Sequence, residues 1–321
     1  MPDVGCAGIL VEDTFCGPMP TLPMEGALLT LDEMPVRAGG CAANVAIDLA
    51  KQGISVDVVG CIGRDRAADL LLHTFEAYGI GCSKVSHVDT YRTSRTIILL
   101  VKGQDRRYLH MVGANRAFAA AHIPCDWLRR LKVFYLGGLF ALPGIDVAEL
   151  AALLKACRNE NVMTVVDVVV PLGFQGMTQL REILPFIDVF VPNEDEARAF
   201  TGASDPFAQL RSLQSAGANT VIITQGNKGA VAARAREAWS CGAHELDIVD
   251  PSGSGDAFTS GVIFSLLRGW DMPQTLRYAS AIGASATRAT GTTDAVFSAA
   301  EAEAFIAEHS LTVTERSWPW T

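Results

Sequence analysis

Short apolar runs of strand length alternate with amphipathic stretches of helix length along most of this chain. The runs are rich in Val and Ile, as are strands that are buried on both faces of a parallel sheet. We predict strands over Val4–Leu10, Val56–Gly60, Val133–Leu136, Thr164–Val168, Val189–Val191 and Val221–Thr224. The other pattern predicts helices over Cys41–Gln52, Ala67–Tyr78, Val147–Asn159, Leu180–Leu184, Glu194–Phe200, Asp205–Ala216 and Thr259–Arg268. This alternation indicates an α/β fold in which right-handed crossovers join parallel strands.

Two segments depart from that alternation. The first, at about residues 11–37, is rich in Pro, Gly and Met and alternates weakly around Ala27–Leu31. The second, at about residues 95–111, has two strand-like runs, Thr96–Val101 and Arg107–Met111, around a polar turn, which predicts a hairpin. We therefore expect residues 1–321 to form one domain, in which these two insertions make a small accessory sheet.

Composition and charge narrow the classes of partner. The chain has 321 residues, 49% of them hydrophobic, and a formal net charge of −9, which suits a globular protein with a sizeable core. Because no basic tract offsets the acidic balance, we expect no nucleic acid and no anionic membrane as the main partner. The eight scattered cysteines include no C-x-x-C pair, and the N-terminus does not resemble a signal peptide. These features favour reduced thiols and a cytoplasmic location.

The strongest chemical signal is the segment D-P-S-G-S-G-D-A-F at 250–258, which precedes a helical run. Small residues at the start of a helix leave backbone N–H groups free to bind an anion such as phosphate. Asp256 would then lie beside the phosphate and could take a proton from an attacking hydroxyl. The alternative is structural: Ser252 or Ser254 caps the helix, and Asp256 complements its dipole.

A second signal is the paired glycine segment Gly39-Gly40, followed by Asn44 in the first turn of a predicted helix. The glycines allow backbone to approach a ligand closely, and the Asn44 amide can both donate and accept hydrogen bonds. This combination suits a polyhydroxylated substrate. A glycine turn in which Asn44 only bonds to backbone is the alternative.

Two further motifs follow predicted strands. Asn193 and Glu196 have the spacing of a helix capping box, and the same amide and carboxylate could order hydrated Mg²⁺ near phosphates. Thr224, Gly226 and Gly229 form a glycine-containing turn, which could hold phosphate or could be a plain hairpin turn.

Together and in this order, these motifs resemble those of the ribokinase-like (PfkB) carbohydrate kinase family. Gly39-Gly40-x-x-x-Asn44 resembles its N-terminal signature, and the segment at 250–258 resembles its C-terminal signature, usually written D-T-x-G-A-G-D. Gly60-x-x-Gly63-x-Asp65, Asn193-x-x-Glu196 and Thr224-x-Gly226 also match, so that the resemblance covers roughly residues 4 to 308.

The resemblance implies a three-layer αβα sandwich with a mostly parallel central sheet and a small β-sheet lid. It implies an ATP-dependent kinase that phosphorylates a hydroxymethyl group of a sugar. Asp256 would be the general base, and the backbone N–H groups of Gly253, Ser254 and Gly255 would form the anion hole. Lid sheets in this family often pair between subunits, which implies a homodimer.

The resemblance also implies ligand-binding residues. The sugar would be bound by Asp13, Gly39, Gly40 and Asn44, and ATP by Asn193, Thr224, Gly226 and Gly229, with the adenine near Ala279–Gly283. Mg²⁺ would be held by Asn193 and Glu196, and K⁺ by Asp250 and Ser252 with the carbonyl groups of Ala286, Ala289 and Gly291. Pro251-Ser252 replaces the usual pair of hydroxyl residues beside the K⁺ site.

The acceptor stays open at the level of sequence. Ribokinases carry a substrate-facing glutamate after the mid-chain strand, where this chain reads Leu136-Gly137-Gly138-Leu139-Phe140. This difference argues against ribose and leaves room for a hexose, a sugar acid or a nucleoside. A nucleoside kinase would need aromatic side chains over the base, and Phe15 and Tyr108 are the candidates. Arg106 and its neighbour Arg107 in the predicted hairpin could meet an anionic substrate, although exposed charges of a hairpin are more often only solvated. A sugar- or nucleotide-binding regulator without catalysis is the third alternative.

Overall fold

Two β-sheets organise the protein in the computed structural model, which describes residues 1–171, 173–174 and 176–317. In that part of the chain the strands are β1 (Val4–Gly8), β2 (Val11–Met19), β3 (Val36–Gly39), β4 (Val56–Ile62), β5 (Gly81–His87), β6 (Ser94–Val101), β7 (Arg107–Met111), β8 (Val133–Leu139), β9 (Met163–Val168), β10 (Val189–Phe190), β11 (Thr220–Thr224), β12 (Ala230–Arg234), β13 (Glu237–Cys241) and β14 (Val313–Ser317).

The helices follow the strands in alternation, as the pattern of apolar positions predicts. They are α1 (Cys41–Lys51), α2 (Arg66–Ala77), α3 (Cys125–Leu128), α4 (Val147–Asn159), α5 (Met177–Ile183), α6 (Glu194–Thr201), α7 (Pro206–Ser215), α8 (Ser254–Arg268), α9 (Met272–Ala286) and α10 (Ala299–Glu308). Within the described ranges, no helix combines the length and the apolar composition that crossing a membrane requires.

The large sheet has ten strands in the order β14-β13-β12-β11-β10-β9-β8-β1-β4-β5. The strands from β11 to β5 in this order run parallel, whereas β12, β13 and β14 pair antiparallel at one edge. One face packs on α1, α2, α8, α9 and α10, through buried residues such as Leu49 and Phe264. The other face packs on α3 to α7, through residues such as Leu154 and Leu210. The predicted three-layer α/β architecture is therefore confirmed.

The small sheet has four strands in the order β3-β2-β6-β7, and its strands fall almost entirely within the two segments that depart from the main pattern. The predicted hairpin is present, since β6 and β7 pair antiparallel with Leu99 opposite Arg107. The first segment contributes β2 and β3, whereas residues 20–35 between them, including the weak alternation at Ala27–Leu31, are irregular. Both edges of β2 are paired, with β3 on one side and β6 on the other.

Candidate active site

Polar side chains and helix starts gather where the parallel strands of the large sheet end. Gly138 lies near the end of β8, Asp167 near the end of β9 and Thr224 at the end of β11. The N-termini of α1, α6 and α8 follow glycine or asparagine caps. In open α/β sheets, ligands bind in the crevice outside the carboxyl ends of the strands. This edge of the sheet is therefore the place where a ligand is expected to bind.

Asp256 lies in the first turn of α8 and is held by residues of the first half of the chain. Asn44 in α1 donates from Nδ2 to Asp256 Oδ2 at 2.7 Å. Thr292 donates its hydroxyl to Asn44 Oδ1 at 2.8 Å, which fixes the orientation of the amide. The N-terminal and C-terminal motifs, 212 residues apart, thus meet in one site.

The environment of Asp256 increases its affinity for a proton. Burial raises the pKa of Asp256, while hydrogen bonds from Asn44 and Cys41 and the positive charge of Arg106 act in the opposite direction. The net pKa is above the ordinary aspartate value. A carboxylate of this kind is suited to accept a proton from a hydroxyl group.

The start of α8 has the geometry of an anion-binding site. Gly253 is the N-cap residue, with φ of 78° and no side-chain cap, so the alternative in which Ser252 or Ser254 caps this helix is wrong. A Cβ on Gly253 would lie 2.2 Å from the carbonyl oxygen of Thr292, whereas one on Gly255 would meet no atom within 4 Å. The N–H of Ser254 makes a long bond of 3.4 Å to the carbonyl oxygen of Pro251, and the space beside Gly255 is open. No side chain caps the N–H groups of this first turn, which could therefore bind an anion.

Asp13 and Gly39 lie against each other beside this helix start. A Cβ on Gly39 would lie 1.9 Å from Asp13 Oδ2, so only glycine leaves room for the carboxylate. The pKa of Asp13 is raised to about 7. Burial is the main cause and the charge of Asp256 adds to it, whereas the hydrogen bond with Thr96 acts in the opposite direction. Gly40 caps α1 with φ of 90°, a conformation that favours glycine. The four predicted sugar-binding residues therefore lie close to Asp256: Asn44 bonds to it, Asp13 is near enough to feel its charge, and Gly39 and Gly40 lie against Asp13 and at the start of α1.

A cavity of about 430 Å³ opens on the other side of the α8 start. Three of the four predicted ATP-binding residues line this cavity: Thr224, Gly226 and Gly229. Ser254 and Gly255 of α8 also line it. The fourth, Asn193, is not among its lining residues, but its backbone pairs with Thr224. Ser280 and Gly283, from the segment predicted to adjoin the adenine, also line this cavity, as do His244 and Phe258, which sequence reasoning missed. The turn after β11 is both a hairpin connection and a cavity wall.

Asn193 and Glu196 form the capping box of α6. The Asn193 N–H donates to Glu196 Oε2 at 2.8 Å, and the Glu196 N–H donates to Asn193 Oδ1 at 2.9 Å. Burial raises the pKa of Glu196 to about 7, and the charges of Asp256 and Asp195 contribute in the same direction. The predicted capping box is therefore present, and the negative charge of Asp256 also acts on the Glu196 carboxylate.

Asp250 and Ser252 lie buried ahead of α8. Asp250 accepts the N–H of Ser252 at 2.9 Å and the N–H of Gly291 at 3.2 Å. The Ser252 hydroxyl oxygen is buried and has no hydrogen-bond partner among the described residues. Ala286 ends α9, and Ala289 and Gly291 lie in the loop that returns to Asp250. A buried carboxylate, an orphan hydroxyl and nearby backbone thus occur together at this place.

Sequence reasoning missed two polar neighbours of Asp256. Cys41, Asp167 and Asp256 bring a sulfur and two carboxylate oxygens within 4.8 Å of one another. Asp167 accepts hydrogen bonds from the Tyr135 hydroxyl and from the N–H of Gly138. The available signal was an acidic residue near the end of a strand that is otherwise apolar, because such a residue reaches the ligand-binding edge of the sheet.

The small sheet turns one of its faces towards this group. Asp13, Thr96 and His110 are aligned across β2, β6 and β7, and Thr96 bonds with His110 at 3.0 Å. Arg106, in the turn between β6 and β7, is close enough for its charge to affect Asp256. Phe15, a candidate for covering a nucleobase, shares the face of Asp13 but is fully buried, in a cluster with Ile98 and Leu100.

Comparison with known proteins identifies the family of this chain. The profile of the pfkB family carbohydrate kinases matches residues 11–298. An ATP-dependent 6-phosphofructokinase of Thermoanaerobacterium thermosaccharolyticum is 26% identical, covering 79% of this chain and 80% of the relative. An aminoimidazole riboside kinase of Salmonella typhimurium is 27% identical, covering 85% and 89%.

A solved structure shows the same fold. A putative ribokinase II from E. coli, in complex with ATP and Mg²⁺, superposes with a TM-score of 0.80 at 20% identity, covering 96% of this chain and all of that one. The resemblance drawn from the sequence motifs is therefore confirmed, and with it the expectation of an ATP-dependent carbohydrate kinase. The chain belongs to the pfkB family of carbohydrate kinases.

Proposed function

We propose that this kinase transfers the γ-phosphoryl group of ATP to a hydroxymethyl group of a sugar, with Asp256 as general base. One observation carries the proposal: Asp256 is bonded to Asn44, one of the predicted acceptor residues, and directly follows Gly255, which lines the cavity at the start of α8. A base in this position can reach a hydroxyl while the adjacent backbone N–H groups hold the phosphate.

The chemical step follows from these positions. Ionised Asp256 takes the proton of the acceptor hydroxyl while the hydroxyl oxygen bonds to the γ-phosphorus and the bond to the β-phosphate oxygen breaks. ADP leaves as the second product. The N–H groups of Gly253, Ser254 and Gly255 stabilise the negative charge on the transferring group, with the dipole of the 15-residue helix behind them.

The acceptor pocket is suited to hydroxyl groups. Asp13 accepts hydrogen bonds from sugar hydroxyls, Asn44 donates and accepts, and the backbone of Gly39 and Gly40 allows a close approach. A nucleoside acceptor is the second candidate, since a similar protein is named as a riboside kinase. The burial of Phe15 leaves Tyr108, about half exposed, as the candidate aromatic, which favours the sugar.

The cavity beside α8 would take the nucleotide. Thr224, Gly226 and Gly229 would contact the phosphates at the end of β11, with Asn193 beside them, and the adenine would lie by Ser280 and Gly283 of α9. At about 430 Å³ the cavity is within the range of small-molecule sites.

The cation sites are proposed on the donors present. Glu196 fits Mg²⁺, because it offers hard carboxylate oxygens and because the negative charges of Asp256 and Asp195, which act on it together with burial, would be offset by a cation. With Asn193, it would order a hydrated Mg²⁺, which neutralises charge on the phosphates when bound. The orphan Ser252 hydroxyl and the Asp250 carboxylate fit K⁺, together with the carbonyl groups of Ala286, Ala289 and Gly291.

The small sheet would act as a lid and as a homodimer contact. Its face away from Asp13 carries an aligned row in which Val36, Ile97 and Leu109 flank Thr14. These three apolar side chains are 40%, 40% and 61% exposed. A second subunit would bury this apolar face. We place the enzyme in the cytoplasm, which agrees with its eight free cysteines.

The test is ATP turnover with Mg²⁺ and K⁺ across pentoses, hexoses, sugar acids, phosphosugars and nucleosides. We expect a free sugar to raise ADP formation, and the same sugar without its hydroxymethyl group to fail. A nucleoside as the only active acceptor would refute the sugar assignment and keep the mechanism. ATP binding with no transfer to any acceptor would favour a non-catalytic regulator. Omission of K⁺ and sedimentation of the protein test the cation and the dimer.

A further inference from the structure

We propose that Arg106 selects the acceptor, and that the preferred acceptor is a sugar that carries an anionic group, a carboxylate or a phosphate, besides its hydroxymethyl group. The inference deepens the proposed function and rests on it. Arg106 lies in the turn of the β6–β7 hairpin, directly before β7. A guanidinium group is suited to this role, because it can bind two oxygens of a carboxylate or a phosphate through parallel hydrogen bonds.

The register of the small sheet places Arg106 on the acceptor side. Asp13 pairs with Thr96, and Thr96 pairs with His110, so these three side chains share one face. Because side chains alternate along a strand, Tyr108 lies on the same face as His110. Arg106 precedes Tyr108 by two residues, and its Nε donates to the Tyr108 hydroxyl. This bond keeps the guanidinium group on the face of Asp13.

The guanidinium group of Arg106 is held in place but keeps donors for a ligand. Its centre lies 5.8 Å from the centre of the Tyr108 ring. Its Nη1 donates to Asp105 Oδ1 at 3.2 Å, whereas its Nη2 donates to no atom of the described residues. The Arg106 side chain is 25% exposed, in contrast to 84% for Asp105. An ion pair with so exposed a partner contributes little, so an anionic ligand can replace Asp105.

The charge of Arg106 also reaches the proposed base. Burial raises the pKa of Asp256, and the charge of Arg106 is among the causes that lower it. Burial likewise raises the pKa of Tyr108, and the charge of Asp250, which lies ahead of α8, adds to that effect. The residues that line the nucleotide cavity all lie between positions 224 and 287, so they include neither Arg106 nor Tyr108. An anion bound to Arg106 would therefore belong to the acceptor.

A cation in this position changes which acceptor is favoured. The carboxyl groups of Asp13 and Asp256 suit hydroxyl groups, but they would repel an anionic acceptor unless a positive charge lay beside its anion. Arg106 supplies that charge. A neutral sugar that displaces water from this face would leave the free N–H groups of Arg106 unpaired, which costs binding free energy. The same side chain therefore favours an anionic acceptor and disfavours its neutral counterpart.

The experiment compares matched pairs of acceptors at saturating ATP with Mg²⁺ and K⁺. Each pair joins a neutral sugar to a sugar acid or a phosphosugar that keeps a free hydroxymethyl group, such as glucose with gluconate and fructose with fructose 6-phosphate. We expect kcat/KM to be higher for the anionic member, by a factor that decreases as the salt concentration rises. The pair with the larger factor identifies the anion as a carboxylate or a phosphate.

Three variants test the role of Arg106. In Arg106→Gln, we expect the ratio of kcat/KM between the anionic and the neutral member to fall by about 10- to 100-fold, as for the loss of hydrogen bonds to a charged group. Arg106→Lys keeps the charge without the parallel bonds and should lose less. Arg107→Gln is the matched control, because Arg107 points to the opposite face and donates to Gln104 Oε1 at 2.6 Å. It should keep the ratio of the parent.

Equal kcat/KM for both members of every pair would overturn the inference, and so would a ratio that is unchanged in Arg106→Gln. The inference also fails if Arg106→Gln weakens ATP binding and lowers kcat equally with every acceptor, since the guanidinium group would then serve the nucleotide. If only neutral sugars are phosphorylated, the proposed function stands and this inference fails.

Binding separates the two proposals if no acceptor is phosphorylated, because the proposed function then fails while an anion site can still be measured. Gluconate and fructose 6-phosphate are titrated by calorimetry into the parent and into Arg106→Gln. Weaker binding of either compound to the variant supports the anion site. Equal binding to both proteins, or no binding to the parent, overturns it.

Discussion

Replacing Asp256 by asparagine removes the proposed base and keeps its shape. The amide can still pair with Asn44, whose Nδ2 lies 2.7 Å from Asp256 Oδ2, so the acceptor pocket should hold its form. A positioned general base contributes about 100- to 10,000-fold to rate, which corresponds to about 3 to 5 kcal/mol of activation free energy. We expect kcat to fall by that factor.

ATP binding should survive the same substitution, because the nucleotide cavity is lined by Ser254 and Gly255 and does not include Asp256. Isothermal titration with ATP and initial-rate kinetics with a saturating acceptor measure the two effects separately. Asp126→Asn is a suitable control, since this side chain is 83% exposed and should change neither quantity.

The free energy of unfolding should not fall in Asp256→Asn, although the activity does. Because the pKa of Asp256 is raised by folding, the folded protein binds a proton more tightly than the unfolded chain does. Its contribution to stability is therefore present at acid pH and is lost as the pH rises through the folded-state pKa. At pH 8, the melting temperature of Asp256→Asn should be no lower than that of the parent.

If Asp256→Asn keeps kcat within tenfold of the parent, the role of Asp256 as general base is refuted.

Three further predictions concern the pocket and the core. Gly39→Ala places a Cβ 1.9 Å from Asp13 Oδ2, so we expect KM for the acceptor to rise about tenfold or more with ATP affinity unchanged; an unchanged KM would exclude Asp13 from the pocket. The pKa of Asp13, about 7, makes the ligand-free protein lose stability as pH rises from about 4 to 7, and thermal melts should show a smaller loss in Asp13→Asn. Phe264→Ala should cost about 3 to 5 kcal/mol in urea unfolding, because its buried ring stacks on Tyr278 at 4.7 Å; a cost under 1 kcal/mol would contradict this packing.

The alternating pattern of the sequence determined the class of fold. The helix predicted at Val147–Asn159 has the same bounds as α4, since its apolar face and its capping Asp146 are local features. The helix predicted from Thr259 begins at Ser254, because glycines and a serine gave no apolar signal there. No strand was predicted for β14, whose polar residues are held by pairing with β13.

The motifs of the sequence named the reactive groups, since Asp256, Asn44 and the glycines belong to short local segments with recognisable chemistry. Only the tertiary structure brought Asn44 to Asp256 across 212 residues, buried Phe15 and placed Asp167 beside the base. Strand order and helix packing decide which distant side chains meet, and hydropathy does not encode that order. The proton affinity of each acidic side chain depends on its contacts with those distant side chains, so it was decided by the fold as a whole.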